Sequence, residues 1–355
     1  MRKVLSGLFA AVFVFGCTPD AKKASSDENL NNEYQEEGIS FFNHWNLILG
    51  DGSNVGVPLN FENKNFFFRT TDEDGEWVVY KSPNAGSTHG TSNNTRTELA
   101  QLKKWKAMSN AKLTATLKVM NVSASGDSRV AASHSVVVGQ IHSADKHENE
   151  PLKIFYKKFP GHTKGSVFWH YEINTAGDDN AGRWDFSTAV WGHDFSVVPN
   201  DDNTYPEEPS DGIELGEEFS YSIEVSEGIM NLVFTSQGHT TKTFTKNLIK
   251  SEYTTSADIP QQTQKLFVTI GQDGVERENA YADEGLFFKL GCYNQTNGKS
   301  PEVNRNWCSG ADTYGGDIQK QYETGNYAEV WFKKANITVS KDAYSNESYF
   351  TKNDH

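Results

Sequence analysis

Three short segments of this 355-residue chain combine residue types that are suited to proton transfer beside a negative charge. They read RTEL at 96–99, QIH at 140–142 and FFKLGCYNQ at 287–295. Side chains two positions apart in a β-strand lie on the same face. If each segment is a strand, the residues that share faces in this way are Arg96, Glu98, Gln140, His142, Lys289, Tyr293 and Gln295. A guanidinium, an amide, an imidazole and a phenol on one sheet face are suited to removing a proton next to a carboxylate.

In this order the three segments resemble the signatures of polysaccharide lyase family 7, the alginate lyases. Those signatures read roughly R-[ST]-E-[LV]-R, Q-[IV]-H and Y-F-K-x-G-x-Y-x-Q. The three-residue segment alone would carry no weight, whereas the nine-residue segment is fairly specific and the ordered trio is a strong signal. The resemblance spans residues 38 to 340 of the sequence. It implies a β-jelly roll whose concave face carries a substrate groove.

The resemblance implies β-elimination on a uronic acid polymer, in which the C5 proton is removed and the C4 oxygen leaves. The C5 proton lies beside a carboxylate, so the enzyme must neutralise that charge and supply a base and an acid. Arg96 is the predicted neutraliser because a guanidinium can bind a carboxylate through two parallel hydrogen bonds. Gln140 is predicted to donate to the same carboxylate, and Tyr293 to protonate the leaving oxygen. His142 is predicted to be the base for guluronate or to bind the developing charge, whereas for mannuronate Tyr293 also removes the proton.

Three further residues are predicted to bind substrate. Lys289 and Gln295 resemble the family's substrate-binding positions, and Glu98 either orients the neighbouring arginine or lines a sugar subsite. The sequence departs from the family pattern at two positions: Ala100 stands where the family has its second arginine, and Phe287 replaces the first tyrosine. The loss of that arginine removes a cation from the groove, while the change at residue 287 keeps the aromatic ring.

The rest of the sequence predicts an antiparallel sandwich, because helical periodicity is nearly absent and turn-forming residues separate alternating segments. In Lys112–Val119 every second residue is apolar. Together with that segment, the predicted strands are Val136–Ile141, Leu152–Lys157, Val167–Ile173, Phe219–Val225, Met230–Phe234, Leu266–Ile270, Leu286–Asn294 and Ala328–Val339. Asn247–Tyr253 is predicted to be a short helix. The predicted fold class is all-β, a jelly roll of two antiparallel sheets.

Two segments are predicted to be long loops that border the groove. Residues 174–216 are rich in Asp, Gly and Pro and contain Trp184, Phe186, Trp191 and Phe195; residues 296–319 contain Trp307. Long loops with aromatic residues are often functional lids. These aromatic residues either wall one end of the groove or only fasten the loops to the sheet.

Cys292 and Cys308 are predicted to form a disulfide, since an isolated pair in an exported protein is readily interpreted in this way. A closed loop of this length stabilises by about 3 kcal/mol in the chain-entropy model. Two unpaired buried thiols are the alternative. No spacing of Cys or His indicates a zinc site, and no metal or other cofactor is predicted.

Residues 1–16 have the pattern of a lipoprotein-type signal peptide: a basic start, an apolar run and Gly16 before Cys17. Cys17 is the predicted lipidation site, and residues 17–37 are a predicted flexible tether, since they contain almost no apolar residues. Residues 38–355 are then one catalytic domain. The protein is predicted to be exported, as an outer-membrane or cell-surface lipoprotein or, alternatively, as a periplasmic or secreted protein.

The formal net charge of −14 argues against nucleic acid as a partner, because such partners require a basic face. An acidic protein also repels a polyanion at long range, so recognition of alginate has to depend on a locally basic groove. Contact with a membrane is expected only through the N-terminal lipid, and the protein is expected to be a monomer.

The predicted function is an alginate lyase that depolymerises alginate by β-elimination and leaves 4,5-unsaturated uronate ends. The form QIH is associated across the family with guluronate-containing blocks, and the long loops and the missing second arginine suggest exo action. One alternative is a lyase that acts on another polyuronate such as glucuronan. Another is a non-catalytic carbohydrate-binding jelly roll. A sandwich glycoside hydrolase needs paired acids across the scissile bond, and the sequence has no E-x-D-x-x-E strand.

Overall fold

The computed structural model of the protein describes residues 42–87, 92–144, 149–173, 183–202, 204–253, 255–260, 263–267 and 281–340. Within them the chain forms two antiparallel sheets, so the prediction of an all-β jelly-roll sandwich is confirmed. The strands are β1 Trp45–Ile48, β2 Asn54–Gly56, β3 Phe67–Asp72, β4 Gly75–Pro83, β5 Arg96–Gln101, β6 Trp105–Lys106, β7 Ala111–Asn121, β8 Ser135–Ser143, β9 Leu152–Lys157, β10 Lys164–Ile173, β11 Trp184–Trp191, β12 Ile213–Glu214, β13 Glu218–Ser226, β14 Ile229–Ser236, β15 Lys242–Asn247, β16 Gln264–Phe267, β17 Gly285–Asn294 and β18 Tyr327–Val339. One α-helix, α1 Ile318–Glu323, and three single 3₁₀ turns, Phe42–His44, Ser256–Asp258 and Tyr314–Gly316, complete the described elements.

We call the two sheets the front sheet and the back sheet. The front sheet has the order β16-β11-β10-β9-β8-β17-β5-β1-β2, with β12 beside β10 and β6 beside β17. The back sheet has the order β15-β14-β13-β7-β18-β4-β3. The three sequence segments with candidate chemistry fall on β5, β17 and β8, which are direct neighbours in the front sheet.

The main core lies between the sheets and consists of every second residue of most strands. In β7 these are Leu113, Ala115, Leu117 and Val119, all almost fully buried. Each fully buried side chain of valine or leucine size contributes about 1.5–3 kcal/mol. On the front-sheet strands, the core residues alternate with residues that point away from the core, to the outer face of the front sheet. This alternation is what places polar groups together on that face.

A β-bulge in β8 decides which face Gln140 occupies. Against β9, Val137 pairs with Phe155 but Gly139 pairs with Ile154, so β8 contains one extra residue. Val138 belongs to the core cluster, and a Cβ on Gly139 would lie 2.5 Å from the buried Tyr221 hydroxyl, so both positions face the core side. The alternation therefore restarts one residue later, and Gln140 and His142 turn outward.

A second glycine is required in β17 at Gly291, whose φ is +144°. A Cβ at this position would lie 2.4 Å from the Thr97 carbonyl oxygen on the neighbouring strand β5. Only glycine adopts this backbone region without a steric penalty. Gly291 thus allows the close approach of β5 and β17, two strands that carry candidate site residues.

Several predicted elements are wrong in detail. Asn247–Tyr253 is not helical, because the Asn247 side-chain oxygen accepts hydrogen bonds from the backbone N–H groups of Ile249 and Lys250 and forms a turn instead. The predicted loop 174–216 contains β11 and β12, and the predicted loop 296–319 leads into α1. Eight strands were also not predicted from alternation: β1 to β4, β6, β11, β12 and β15. Of the predicted strand Leu266–Ile270, residues 266 and 267 belong to β16, and residues 268–270 lie outside the described residues.

The predicted disulfide is not formed. Cys292 and Cys308 are both free and buried. Cys292 points into the core between the sheets, whereas Cys308 lies in a loop whose neighbouring residue, Trp307, packs on the outer face. Burial raises the pKa of both thiols, which keeps them protonated.

The predicted signal peptide at 1–16, the lipidation site Cys17 and the tether at 17–37 lie outside the described residues, as do both ends of the predicted 38–355 domain. Among the described residues, none of the helices has the length and apolar character needed to cross a membrane.

Candidate active site

The front sheet brings the predicted catalytic residues onto one face. Tyr293 of β17 pairs with Arg96 of β5, and Lys289 of β17 pairs with Gln140 of β8. His142 of β8 pairs with Phe287 of β17 in the same ladder. β17 therefore lies in the middle of the site, with the arginine on one side and the imidazole on the other.

Glu98 lies at the centre of this group and is 1% exposed. Its carboxylate lies 3.5 Å from Arg96 Nη1 and 3.1 Å from Lys289 Nζ, and it accepts a hydrogen bond from Gln140 Nε2. An unpaired buried carboxylate is costly, and these three donors offset that cost. The position fits the orienting role predicted for Glu98.

Tyr293 has two polar contacts that define its setting. The Arg96 guanidinium carbon lies 3.8 Å from the centroid of the phenol ring, which is a cation–π contact. The phenol oxygen lies 3.0 Å from Ser92 Oγ, and either oxygen can donate. Ser92 precedes β5 in the chain, where no sequence pattern indicated it. These contacts hold the phenol at the surface of the site, where Tyr293 is 8% exposed.

His142 is held between an aromatic ring and a carboxylate. Its ring stacks on Phe287 at 5.1 Å between centroids, and its Nδ1 lies 2.5 Å from the Ser143 carbonyl oxygen. Its Nε2 lies 3.7 Å from a Glu150 carboxylate oxygen. Burial lowers the pKa of His142 to about 4; Glu150 opposes this shift, while Lys289 adds to it. The imidazole is therefore neutral at neutral pH, as a general base must be.

Lys289 and Gln295 differ in how they are placed. Lys289 faces the site but is almost buried against Glu98, and this burial lowers the pKa of its ammonium group. Gln295 lies just beyond the end of β17, where its Nε2 donates to the Tyr293 carbonyl oxygen at 3.2 Å and its Oε1 accepts from Asn94 at 3.4 Å. Gln295 is 2% exposed, and its hydrogen bond supports the backbone of the tyrosine; its role in substrate binding stays a prediction.

Ala100 marks the place of the family's second arginine. It lies opposite Lys289 on β5 and is 2% exposed, on the same face as Arg96 and Glu98. A large side chain is absent at this position, so Lys289 is the cation that this part of the face retains.

A row of ion pairs continues from His142 across β9, β10 and the start of β11. Lys153 Nζ lies 3.3 Å from Glu150 and also contacts Glu172. Arg183 lies 3.9 Å from Glu172 and 3.5 Å from Asp185. The carboxylates outweigh the effect of burial and raise the pKa of Lys153, so this lysine stays charged.

His170, Glu172 and Asp185 are the one group of possible metal ligands among the described residues, with ligand atoms within 4.8 Å of one another. All three are fully buried. However, Lys153 and Arg183 already pair with the two carboxylates, and their charges would repel a divalent cation. We therefore interpret the group as part of the ion-pair row.

Aromatic residues from two loops cover one end of the outer face. Phe195 and Trp307 lie 4.9 Å apart between ring centroids, and Phe195 packs on Phe155 and Phe168 of the sheet. This outer cluster consists of Val130, Ala131, Ala132, Val137, Phe155, Phe168, Phe195 and Tyr293, with Val198 and Trp307 beside it. By contrast, Trp184, Phe186 and Trp191 belong to the core between the sheets. The prediction that aromatic residues of the long loops border the site therefore fits Phe195 and Trp307 only.

The sequence also matches known proteins across this whole sandwich. The family model described as "Alginate lyase" matches residues 39–339. The chain belongs to the alginate lyase family. It is 61% identical to the exolytic family 7 alginate lyase AlyA5 of Zobellia galactanivorans, whose crystal structure it matches with a TM-score of 0.80 over 84% of this chain and 96% of that one.

More distant alginate lyases match as well. The alginate lyase of Klebsiella pneumoniae is 24% identical over 273 residues, which are 69% of this chain and 76% of that protein. A crystal structure of an alginate lyase from the same organism has a TM-score of 0.57 at 19% identity, over 84% of this chain and 96% of that one, and shows the shared fold. Alginate lyase family membership makes this protein a polysaccharide lyase that depolymerises alginate.

Three residues at the site were missed in the sequence. Ser92 and Glu150 stand outside the strands and outside any spacing rule, so no pattern indicated them. Phe287 was noted only as a conservative change, although its position two residues before Lys289 was sufficient to place it on the same face.

Proposed function

We propose that the protein cleaves alginate with Arg96 and Gln140 at the substrate carboxylate, Tyr293 as the acid and His142 as the base for guluronate. The observation that carries this assignment is the placement of Tyr293 and His142 on either side of the Arg96–Glu98–Lys289 group. A sugar ring over this group would have its carboxylate among cations and its C5 and C4 within reach of an imidazole and a phenol.

Arg96 is assigned the neutralising role because its guanidinium is oriented by Glu98 and stacked on Tyr293. A guanidinium that is fixed before binding loses little conformational freedom when it contacts a carboxylate. Lys289 supplies a second positive charge to the same place. Glu98 is assigned an orienting role, so we expect no direct contact between Glu98 and the sugar.

Tyr293 is assigned the role of acid because its hydroxyl lies at the site surface with Ser92 as its hydrogen-bond partner. For guluronate, His142 removes the C5 proton from one side of the sugar and Tyr293 gives a proton to the leaving oxygen on the other. For mannuronate both events occur on one side, and Tyr293 performs both. The neutral imidazole supports activity on guluronate-containing blocks.

We further propose exolytic action. The relative AlyA5, 61% identical over most of this chain, is described as exolytic. In this protein the outer cluster covers the face next to Tyr293 with Phe195 and Trp307. An end of the face that is filled in this way leaves less room for a long polymer to continue past the reacting sugar.

The test uses purified protein with polymannuronate and polyguluronate separately. Ultraviolet absorbance of the new C4–C5 double bond, solution viscosity and product size are followed together, with Tyr293→Phe as the control. We expect absorbance on polyguluronate to rise while viscosity falls slowly and small unsaturated products accumulate early. A rapid collapse of viscosity would rule out exolytic action.

The alternative substrate, another polyuronate such as glucuronan, is tested in the same assay. A faster rise of absorbance on glucuronan than on either alginate polymer would replace alginate as the preferred substrate. The proposed export as a lipoprotein is tested separately by comparing the membrane fraction of cells that express the full chain or Cys17→Ser.

A further inference from the structure

Glu150 stands two residues before the first residue of β9, at the edge of the candidate site, and contacts both His142 and Lys153. One carboxylate oxygen lies 3.7 Å from His142 Nε2, and the other lies 3.3 Å from Lys153 Nζ. The Glu150 side chain is 15% exposed, so water screens these contacts only weakly. The family resemblance and the sequence patterns assigned no role to this residue.

The contacts of the imidazole fix which of its nitrogens carries the proton. Nδ1 of His142 lies 2.5 Å from the Ser143 carbonyl oxygen, which can only accept, so Nδ1 must donate. In the neutral ring Nε2 therefore carries the lone pair, and it is the nitrogen that can accept a proton. The carboxylate at 3.7 Å is too far for a hydrogen bond, but it is within ion-pair distance of the imidazolium that forms when Nε2 is protonated.

Glu150 is kept ionised and in place by the ion-pair row. Burial raises the pKa of its carboxyl group, but Lys153, His142, Lys289 and Arg183 outweigh burial and hold the pKa well below its usual range. Lys153 is itself fixed by Glu172. The carboxylate is therefore charged and oriented before any substrate binds.

The other charges that face the imidazole have mixed signs. Lys289 and Arg96 oppose protonation of His142, and Glu98 neutralises much of their charge. Among the described residues, Glu150 is the carboxylate that contacts His142 itself. Its negative charge stabilises the protonated ring relative to the neutral ring, and this stabilisation is needed only after the C5 proton has moved.

We propose that Glu150 is a positioning residue for the lyase reaction: it acts through His142 and stabilises the imidazolium formed when the guluronate C5 proton is removed. This inference rests on the proposed role of His142 as the base. It goes beyond that role, because it assigns a further residue that acts through His142 and does not touch the sugar.

The test compares Glu150→Gln and Glu150→Asp with wild type in steady-state kinetics on polyguluronate and polymannuronate between pH 3 and pH 9. Loss of the carboxylate that supports a metal-bound histidine typically costs about 10- to 100-fold in activity, and we take this range for the loss of Glu150 behind His142. We expect Glu150→Gln to lower kcat on polyguluronate by about this factor, with KM changed by less than about threefold. The loss on polymannuronate is smaller, because Tyr293 is the base there. Glu150→Asp restores part of kcat.

The pH profile gives a readout that a merely structural role would not move. Without the carboxylate the imidazole is harder to protonate, so the pKa of His142 falls and the acid limb of kcat/KM on polyguluronate moves to lower pH. Titration of His142 in the free variants by NMR measures the same shift without activity. Glu217→Gln is the matched control, since it removes the carboxylate of another histidine pair, 2.7 Å from His239, outside the site; we expect it to leave kcat and the acid limb unchanged.

The Glu150→Gln variant is expected to fold, because Lys153 keeps its contact with Glu172. An unchanged acid limb and an unchanged His142 titration in both Glu150 variants would overturn the proposal. A separate variant, His142→Asn, tests the proposed base: if it retains activity on polyguluronate, the role of His142 is wrong, whatever the Glu150 variants show.

Discussion

Arg96 and Tyr293 are direct partners across neighbouring strands, and the guanidinium carbon lies 3.8 Å from the centroid of the phenol ring. The side chains at 96 and 293 are 197 positions apart in the chain, yet the β5–β17 register places them in van der Waals contact. The position of the proposed neutraliser, Arg96, therefore depends on the position of the proposed acid, Tyr293. A change in one of them is expected to disturb the other.

This contact predicts different losses for Arg96→Lys and Tyr293→Phe. Lysine keeps the charge but loses the planar group that stacks on the phenol and grips a carboxylate, so we expect kcat/KM to fall by about 10- to 100-fold. Phenylalanine keeps the ring and removes the proton donor, so we expect kcat to fall by about 10²–10⁴-fold. Steady-state measurements of double-bond absorbance check both losses. Equal activity of Tyr293→Phe and wild type would contradict the assignment.

The pKa of His142 predicts the acid limb of activity on guluronate. The buried ring has a pKa of about 4 in the folded protein, below the ordinary value of 6.5. The free enzyme therefore keeps its base neutral down to about pH 5, and kcat/KM on polyguluronate is expected to fall only through about pH 4. The rate is measured in overlapping buffers at constant ionic strength. A limb near pH 6.5 would show that the ring is solvated in the working enzyme.

The lowered pKa of His142 also predicts how the free energy of unfolding changes with pH. Because the pKa is lower in the folded protein than in the unfolded chain, the unfolded chain binds more protons between pH 6.5 and 4. His142 therefore makes folding less favourable as pH falls through this window. His142→Asn, which carries no titrating group, is expected to lose less stability than wild type between these pH values. Chemical denaturation at pH 7 and pH 5 measures the difference.

The sandwich and the convergence of Arg96, Gln140, His142 and Tyr293 could be predicted from the sequence. The alternation of apolar residues and the order of the motifs can both be recognised in the linear sequence. The bulge at Gly139 was not predictable, since it follows from how Tyr221 of the other sheet fills the core. The ion partner Glu150 was hidden for a similar reason: it contacts His142 only after β8 has turned toward β9. β11 was taken for loop because its flanking residues, rich in Asp and Gly, dominate the composition.

The free thiols predict that a reducing agent leaves stability unchanged. Cys292 lies in the core and Cys308 in a loop over the outer face, so no covalent link is lost on reduction. We expect the same Tm with and without dithiothreitol. Alkylation of the protein after unfolding without reductant, followed by peptide mapping, is expected to label both cysteines. Labelling of neither, together with a lower Tm in reductant, would establish the disulfide.

Gly291 predicts a destabilised variant in the middle of the site. In Gly291→Ala the new Cβ meets the Thr97 carbonyl oxygen at 2.4 Å, at a φ of +144°. Backbone strain alone costs about 1–3 kcal/mol, and the clash adds to it. Gly75→Ala is the matched control, because its φ is +116° and nothing lies within 4 Å of the new Cβ. Thermal unfolding should show a larger loss of stability for Gly291→Ala than for Gly75→Ala. Equal losses would mean that the contact with the Thr97 carbonyl oxygen is relieved without an energetic cost.

Because the carboxylate of Glu98 is buried, we expect a Glu98→Gln variant to be less stable and to lose activity at high pH. Glu98→Gln leaves Arg96 and Lys289 without their shared counter-charge, and removal of one partner from a buried ion pair costs about 3–5 kcal/mol. Burial already lowers the pKa of Lys289, and Glu98 opposes that shift, so the pKa falls further in the variant. Because the ammonium form is the one that binds a carboxylate, the alkaline limb of kcat/KM is expected to move to lower pH.

Glu224→Gln, which breaks the exposed pair with Lys112, is the control and should cost about 0–1 kcal/mol without moving the limb. An unmoved alkaline limb in Glu98→Gln, with wild-type kcat/KM, would show that the cations at the site hold their positions and charges without this carboxylate.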